Sequence, residues 1–159
     1  MPFSLVLLMR VPFALNEEFL SDIAQRAFGV PYDGSNEMYF VHQTPNFYAL
    51  KAGAFLFTIF PRWGAYLAEH GEGDVETGAR LLPEEQKIWW RQQRAWASFD
   101  LQNKDLSEAE AVEVLAKLLL EVVDERSCGV WIPHRGQFLP NDGTAIAELT
   151  RLGLLHSTL

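Results

Sequence analysis

The sequence contains one cysteine, Cys128, among its 159 residues. A single thiol cannot form a disulfide within the chain, and it cannot supply a thiolate cluster for zinc. Basic residues are also few, since 13 lysines and arginines stand against 21 acids and leave a net charge of -8. Such a surface repels phosphate backbones on average, so we expect a protein that binds neither nucleic acid nor a membrane surface.

Long apolar runs are missing as well. The run Phe3–Met9 is too short to span a bilayer, and it lacks the basic leader and small-residue cleavage site of a signal peptide. No later segment reaches the length of a membrane span. We therefore expect a soluble, cytoplasmic protein.

Sequence motifs of known chemistry are absent too. There is no Walker-type loop, no dinucleotide glycine fingerprint after the first strand and no nucleophile elbow. The acids Glu69, Glu72, Asp74 and Glu76 lack the spacing of a calcium loop, and their glycine-rich surroundings predict a solvated loop. We expect no metal site and no cofactor.

Alternating strand-like and helix-like segments make up the rest of the chain. The predicted helices begin at Asn16, Pro83, Ser107 and Asp142, where capping or turn residues precede apolar residues at helical spacing. Gly29 ends the first helix, and Ser107 with Glu110 has capping-box spacing. The predicted strands are Phe3–Met9, Met38–His42, Phe47–Leu50, Ala54–Phe60 closed by Pro61, Trp96–Leu101, Cys128–Ile132 and Gln137–Leu139.

These elements fall into two similar halves, at about residues 3–60 and 95–153, each with a strand, a helix and then further strands. No linker separates them, so we predict one α+β domain over residues 1–159. Two βαββ-like units would form one mainly antiparallel sheet with helices packed on one face, in ferredoxin-like fashion.

Three segments of the second half carry a resemblance to a known family. They are Arg94–Asp100 (RAWASFD), Cys128–Pro133 (CGVWIP) and Gln137–Asn141 (QFLPN), which surround the long helix. Residues 90–153 resemble an uncharacterised bacterial family of unknown function with a ferredoxin-like fold. Because that family has no assigned activity, the resemblance implies a fold and nothing about catalysis.

Tryptophans are the most informative feature for function. Strand alternation places Trp96, Ser98 and Asp100 on one face of the sheet, and Trp131 is expected on the same face. An open face bearing tryptophans needs cover. One interpretation is that segment 61–92 folds over it and fills the gap with Trp63, Trp89 or Trp90. The other is that the face binds a partner or a ligand.

Our first hypothesis is a non-catalytic binding module for a protein partner or a small apolar ligand. The aromatic face would supply the anchors, because tryptophan and arginine dominate such contacts. The candidate residues are Trp63, Trp96, Trp131, Arg62, Arg94, Arg135, His42 and His134.

Two alternatives remain. One is an enzyme in which His42 or His134 forms a general acid–base pair with a carboxylate such as Glu37 or Asp100. The other is a structural homodimer formed by sheet pairing. Cys128 is expected to be a buried small hydrophobe.

Overall fold

A computed structural model of the chain describes residues 2–66 and 74–154, and these residues form a seven-stranded sheet. The strands are β1 Phe3–Met9, β2 Tyr39–Gln43, β3 Tyr48–Ala52, β4 Phe55–Trp63, β5 Ala95–Leu101, β6 Ser127–Ile132 and β7 Gln137–Pro140. The helices are α1 Glu17–Phe28, α2 Asp74–Arg80, α3 Glu84–Trp90, α4 Glu108–Leu120 and α5 Thr144–Gly153, with a 3₁₀ turn at Pro133–Arg135. All strand pairs of the sheet are antiparallel, which confirms the predicted α+β class.

The two halves of the chain are interleaved in this sheet, whose strand order is β2-β3-β4-β5-β1-β6-β7. The first strand of the first half, β1, lies between β5 and β6 of the second half. The first strand of the second half, β5, lies between β4 and β1 of the first half. Neither half therefore forms its own separate sheet.

Strand β1 is buried on both of its faces. Leu5, Leu7 and Met9 belong to the main core, which the sheet shares with α1, α4 and α5. Val6 and Leu8 point to the opposite face and pack in a second, smaller cluster. Buried central strands read as continuous apolar runs for this reason.

Helices cover both faces of the sheet, so the prediction that they pack on one face is wrong. Helices α2 and α3 lie over the second cluster, to which they contribute Ala79 and Trp90. The physical reason is that Val6, Cys128 and Phe138 make the second face apolar near β1, β6 and β7, and that surface is excluded from water.

The loop predicted over the acids at 69–76 is also corrected in part. Asp74 and Glu76 lie in helix α2, while Glu69 and Glu72 lie outside the described residues. Glu76 pairs with Arg91, the residue that follows helix α3, and its Oε1 lies 3.0 Å from Arg91 Nε. None of the helices within residues 2–66 and 74–154 is long and apolar enough to cross a bilayer.

The predicted helix ends are confirmed by their hydrogen bonds. The Phe19 N–H donates to Asn16 Oδ1 over 2.8 Å at the start of α1, and Gly29 ends that helix in the left-handed region at φ 69°. At α4, the Glu110 N–H donates to Ser107 Oγ and the Ser107 hydroxyl donates to the Glu110 carboxylate, at 3.2 and 3.0 Å. Both caps satisfy backbone groups that the helix leaves unpaired.

Strand β4 runs through Pro61, so the prediction that Pro61 ends it is wrong. The Gly64 N–H donates to Arg94 O, which shows that even-numbered residues at this end of β4 bond β5. Pro61 therefore turns its nitrogen to the other side, where β3 has already ended opposite Ile59. No ladder bond is lost there, and the strand continues to Trp63.

Candidate functional site

A cleft of about 250 Å³ lies at the edge where β1 ends, β5 begins and β4 extends beyond β3. We call it the tryptophan cleft. Its lining includes Phe13, Asn16, Tyr48, Arg62, Trp63 and Trp96. The Trp63 side chain is largely free of other contacts, since the residue is 83% exposed. The cleft combines aromatic walls with one cation.

The segment before α1 forms one wall of the cleft and is held firmly. The Arg126 guanidinium carbon lies 3.7 Å from the centre of the Phe13 ring, a close cation–π contact. Arg126 is in turn fixed by the Asp124 carboxylate, with Arg126 Nη2 and Asp124 Oδ2 2.6 Å apart. Burial raises the pKa of Asp124, but the hydrogen bonds and charge of Arg126 outweigh it and hold that pKa below its usual value.

Arg62 stands at the mouth of the cleft without a counter-charge. Its Nη1 donates to Pro61 O over 2.8 Å and to Asn46 O over 3.3 Å. Its guanidinium carbon lies 5.8 Å from the Phe60 ring centre. Within the described parts of the chain, no carboxylate contacts it. Arg62 also lines a neighbouring cavity of about 230 Å³ beside residues 43–48.

Trp96 and Trp131 are covered to different extents. Trp96 lines the cleft and meets the Tyr66 ring edge-to-face, with 5.0 Å between ring centres. Trp131 packs under Trp90, at 5.5 Å and 65°. The interpretation that segment 61–92 folds over the tryptophan face is therefore confirmed at Trp131, where Trp90 supplies the cover.

Arg94 and Arg135, which we expected at the edge of the same aromatic face, lie elsewhere. Arg94 lines a different cavity, together with Arg10 and Arg91. Arg135 sits in the 3₁₀ turn after β6, where its Nε lies 3.4 Å from Glu108 Oε1. Of the candidate residues, the fold brings Arg62, Trp63 and Trp96 together.

Neither histidine forms the predicted pair with Glu37 or Asp100. The imidazole of His42 is exposed on β2 and contacts no acid in the described residues, and β3 and β4 separate it from Asp100. His134 Nε2 lies 3.3 Å from Glu108 Oε1 instead. Neither histidine lines the tryptophan cleft.

Asp100 is engaged by hydroxyl groups on its own sheet face. The Ser4 and Ser98 hydroxyls both donate to Asp100 Oδ1, at 2.6 and 2.5 Å. This cluster is half-buried in the middle of the sheet. Across residues 2–66 and 74–154, no group of three or more His, Cys, Asp or Glu side chains is placed to hold a metal ion.

Cys128 behaves as the sequence predicts. The residue has no solvent exposure and packs in the second cluster with Phe138. Burial raises the pKa of its thiol to about 12. A thiol held in this way is not a nucleophile at neutral pH.

Apart from Arg62, Trp63 and Trp96, the residues that line the cleft were not predicted as site residues, and Phe13, Asn16 and Tyr48 are among them. The sequence did single out Asn16, but as a helix cap and not as a cleft residue. Phe13 and Tyr48 come from segments far apart in the chain, and both line the cleft that forms where β4 extends beyond β3. No local sequence pattern indicates that these two residues line the same cleft.

Comparison with known proteins finds no match, whether to a protein-family model, to a curated protein or to a solved structure. The resemblance of residues 90–153 to a bacterial family therefore stays a prediction.

Proposed function

We propose that this chain is a non-catalytic binding module whose tryptophan cleft holds a small, planar, largely apolar ligand. The observation that carries the proposal is the convergence of Arg62, Trp63 and Trp96 on one cleft. Exposing 83% of a tryptophan to water is unfavourable for a side chain with so large an apolar area. A ligand that covers Trp63 removes that surface from water.

The lining favours a ring-shaped ligand with one negatively polarised group. Aromatic faces of Trp63 and Trp96 offer stacking partners, and Arg62 offers a donor fork to a carboxylate or carbonyl oxygen. The volume of about 250 Å³ lies just below the roughly 300–1,000 Å³ of sites for drug-sized molecules, so one or two rings fit best.

The walls support a cleft that exists before the ligand arrives. Phe13 is held by the cation of Arg126, and Trp96 is braced by Tyr66. These two residues lose little side-chain freedom on binding, so the entropic cost of ordering falls mainly on Trp63.

We also propose that the inner strands form a ferredoxin-like unit. The order β4-β5-β1-β6 supports this, because β5 lies between β1 and β4 while β1 lies between β5 and β6. In the first half, β1 and β4 run parallel with β5 between them, and the chain from one to the other passes through α1. In the second half, β5 and β6 run parallel with β1 between them, and α4 connects them. Strands β2 and β3 extend one edge, and β7 extends the other.

The test is a titration with indole and 2-naphthoate, followed by the indole N–H resonances of the tryptophans in a ¹H–¹⁵N spectrum. We expect the Trp63 and Trp96 resonances to shift while that of the buried Trp90 stays in place. Trp63→Ala should weaken binding by about tenfold or more, as expected for an anchor residue. Leu81→Ala is the matched control, because Leu81 is 85% exposed and does not line the cleft.

A protein partner or a second copy of the chain would use the same exposed tryptophan as its anchor. Size-exclusion chromatography with light scattering distinguishes these alternatives from the small-ligand proposal. A monomer mass for both wild type and Trp63→Ala is expected. A dimer that Trp63→Ala dissociates, with no shift on adding indole or 2-naphthoate, would contradict the proposal.

A further inference from the structure

We propose that a second cleft of this chain binds a phosphate-class oxyanion. This arginine cleft, of about 500 Å³, is lined by Arg10, Val11, Arg91, Gln92, Gln93 and Arg94. Three arginines and two glutamines thus line one cavity, and its lining contains no acid. That concentration of donors stands out in a chain whose net charge is -8.

The charge of the cleft is only partly neutralised by its surroundings. Arg91 Nε lies 3.0 Å from Glu76 Oε1, in a pair exposed to solvent. Arg10 Nε donates to the backbone carbonyl of Glu125 over 2.8 Å, so it keeps its full charge. The Arg94 guanidinium makes no hydrogen bond or ion pair with any residue that the structure describes. Glu84 also interacts with the charge of Arg91, but it is paired with Lys87. Counting Glu76 against the three arginines therefore leaves a net charge of about +2, which attracts an anion.

A buried amide at the same place gives an independent indication. Gln93 is only 8% exposed, and its Oε1 accepts the Tyr66 N–H over 2.9 Å. This bond fixes which way the amide points. Its Nε2 is then left buried without a hydrogen-bond partner among the described residues. Buried donors are rarely left unpaired, and a small movement of the Gln93 side chain towards the cleft would give this donor an oxyanion oxygen as its acceptor.

The number of donors favours phosphate over carboxylate. One arginine fork satisfies a carboxylate, whereas a phosphate monoester offers three terminal oxygens and nearly two charges to several forks at once. The cavity is also larger than the anion alone, so it has room for a small organic group joined to the phosphate. The proposal does not rest on the tryptophan cleft, since it uses other residues and another ligand chemistry.

The experiment is isothermal titration calorimetry at constant ionic strength with inorganic phosphate, glycerol 2-phosphate and acetate. The variants are Arg94→Gln and, as matched control, Arg26→Gln, which removes an exposed arginine that lines neither cleft. We expect both phosphates to bind and acetate to bind much more weakly. Arg94→Gln should weaken phosphate binding by about tenfold, and Arg26→Gln should leave it unchanged. The Gln93 side-chain amide resonance should shift on adding phosphate.

The outcomes distinguish a phosphate ester from free phosphate as the ligand. Tighter binding of glycerol 2-phosphate supports a phosphate ester as the ligand, and equal binding supports free phosphate. Absence of binding up to about 10 mM phosphate would overturn the proposal, as would equal loss of phosphate binding in Arg94→Gln and Arg26→Gln. Both variants replace exposed side chains, and unchanged thermal unfolding will establish that they fold.

Discussion

Removing Trp90 is the sharpest test of how the second face of the sheet is covered. Trp90 is 2% exposed, and its ring meets those of Trp131 and Phe138 at 5.5 and 5.3 Å. Its Nε1–H donates to Val75 O over 2.9 Å, which ties α3 to α2. The change Trp90→Ala removes both the ring contacts and the hydrogen bond to Val75 O.

The expected loss follows from these contacts. Truncating a buried tryptophan costs about 3–5 kcal/mol, and losing the bond to Val75 O adds about 1 kcal/mol. The free energy of unfolding should therefore fall by about 5 kcal/mol. For a domain of this size the midpoint temperature should drop by about 10–20 °C.

Urea unfolding followed by far-UV circular dichroism measures the effect, with a thermal scan beside it. The control is Trp63→Ala, because a side chain with 83% exposure should change stability by no more than about 0.5 kcal/mol. Trp90→Phe keeps an aromatic ring but loses the donor, so it should fall between the two. If Trp90→Ala costs less than about 2 kcal/mol, α2 and α3 do not stabilise this face as the contacts indicate.

Three further predictions concern other parts of the fold. Gly129→Ala should destabilise by about 3 kcal/mol or more in urea unfolding, because a Cβ there would lie 2.4 Å from Leu139 O, a backbone atom. The lowered pKa of Asp124 stabilises the fold at neutral pH, and this contribution should be lost as the pH falls below 3.8 and the carboxylate releases Arg126. Asp124→Asn should flatten that part of the stability–pH profile. The Cys128 thiol should react with Ellman's reagent at pH 8 only after unfolding, since burial raises its pKa to about 12.

The sequence predicts elements well where a local pattern decides them. The limits of β1 and the caps at Asn16 and Ser107 are as expected, because an apolar run and a side-chain hydroxyl or amide act over a few residues. Prediction failed at Pro61, where the outcome depends on which neighbouring strand the nitrogen faces. That choice is made by the register with β5, which no local pattern encodes.

The candidate site was predicted in part for the same reason. Alternation placed Trp96 on the correct face, and composition singled out Arg62 and Trp63. The cleft itself requires β4 to extend beyond β3, so its position follows from strand length and pairing. Arg94 and Arg135 were expected beside Trp96. Arg94 instead lines a different cavity, and Arg135 lies in the 3₁₀ turn after β6, next to Glu108.

The central place of β1 has a consequence for how the chain folds. Its two neighbouring strands, β5 and β6, are synthesised much later, since Phe3 pairs with Leu101 and Val6 with Trp131. During synthesis this apolar strand has no polar face, and about a hundred further residues must be made before either of its edges can pair. Folding should therefore be slow and concerted, and either half expressed alone should aggregate, with β1 or β5 as the exposed edge.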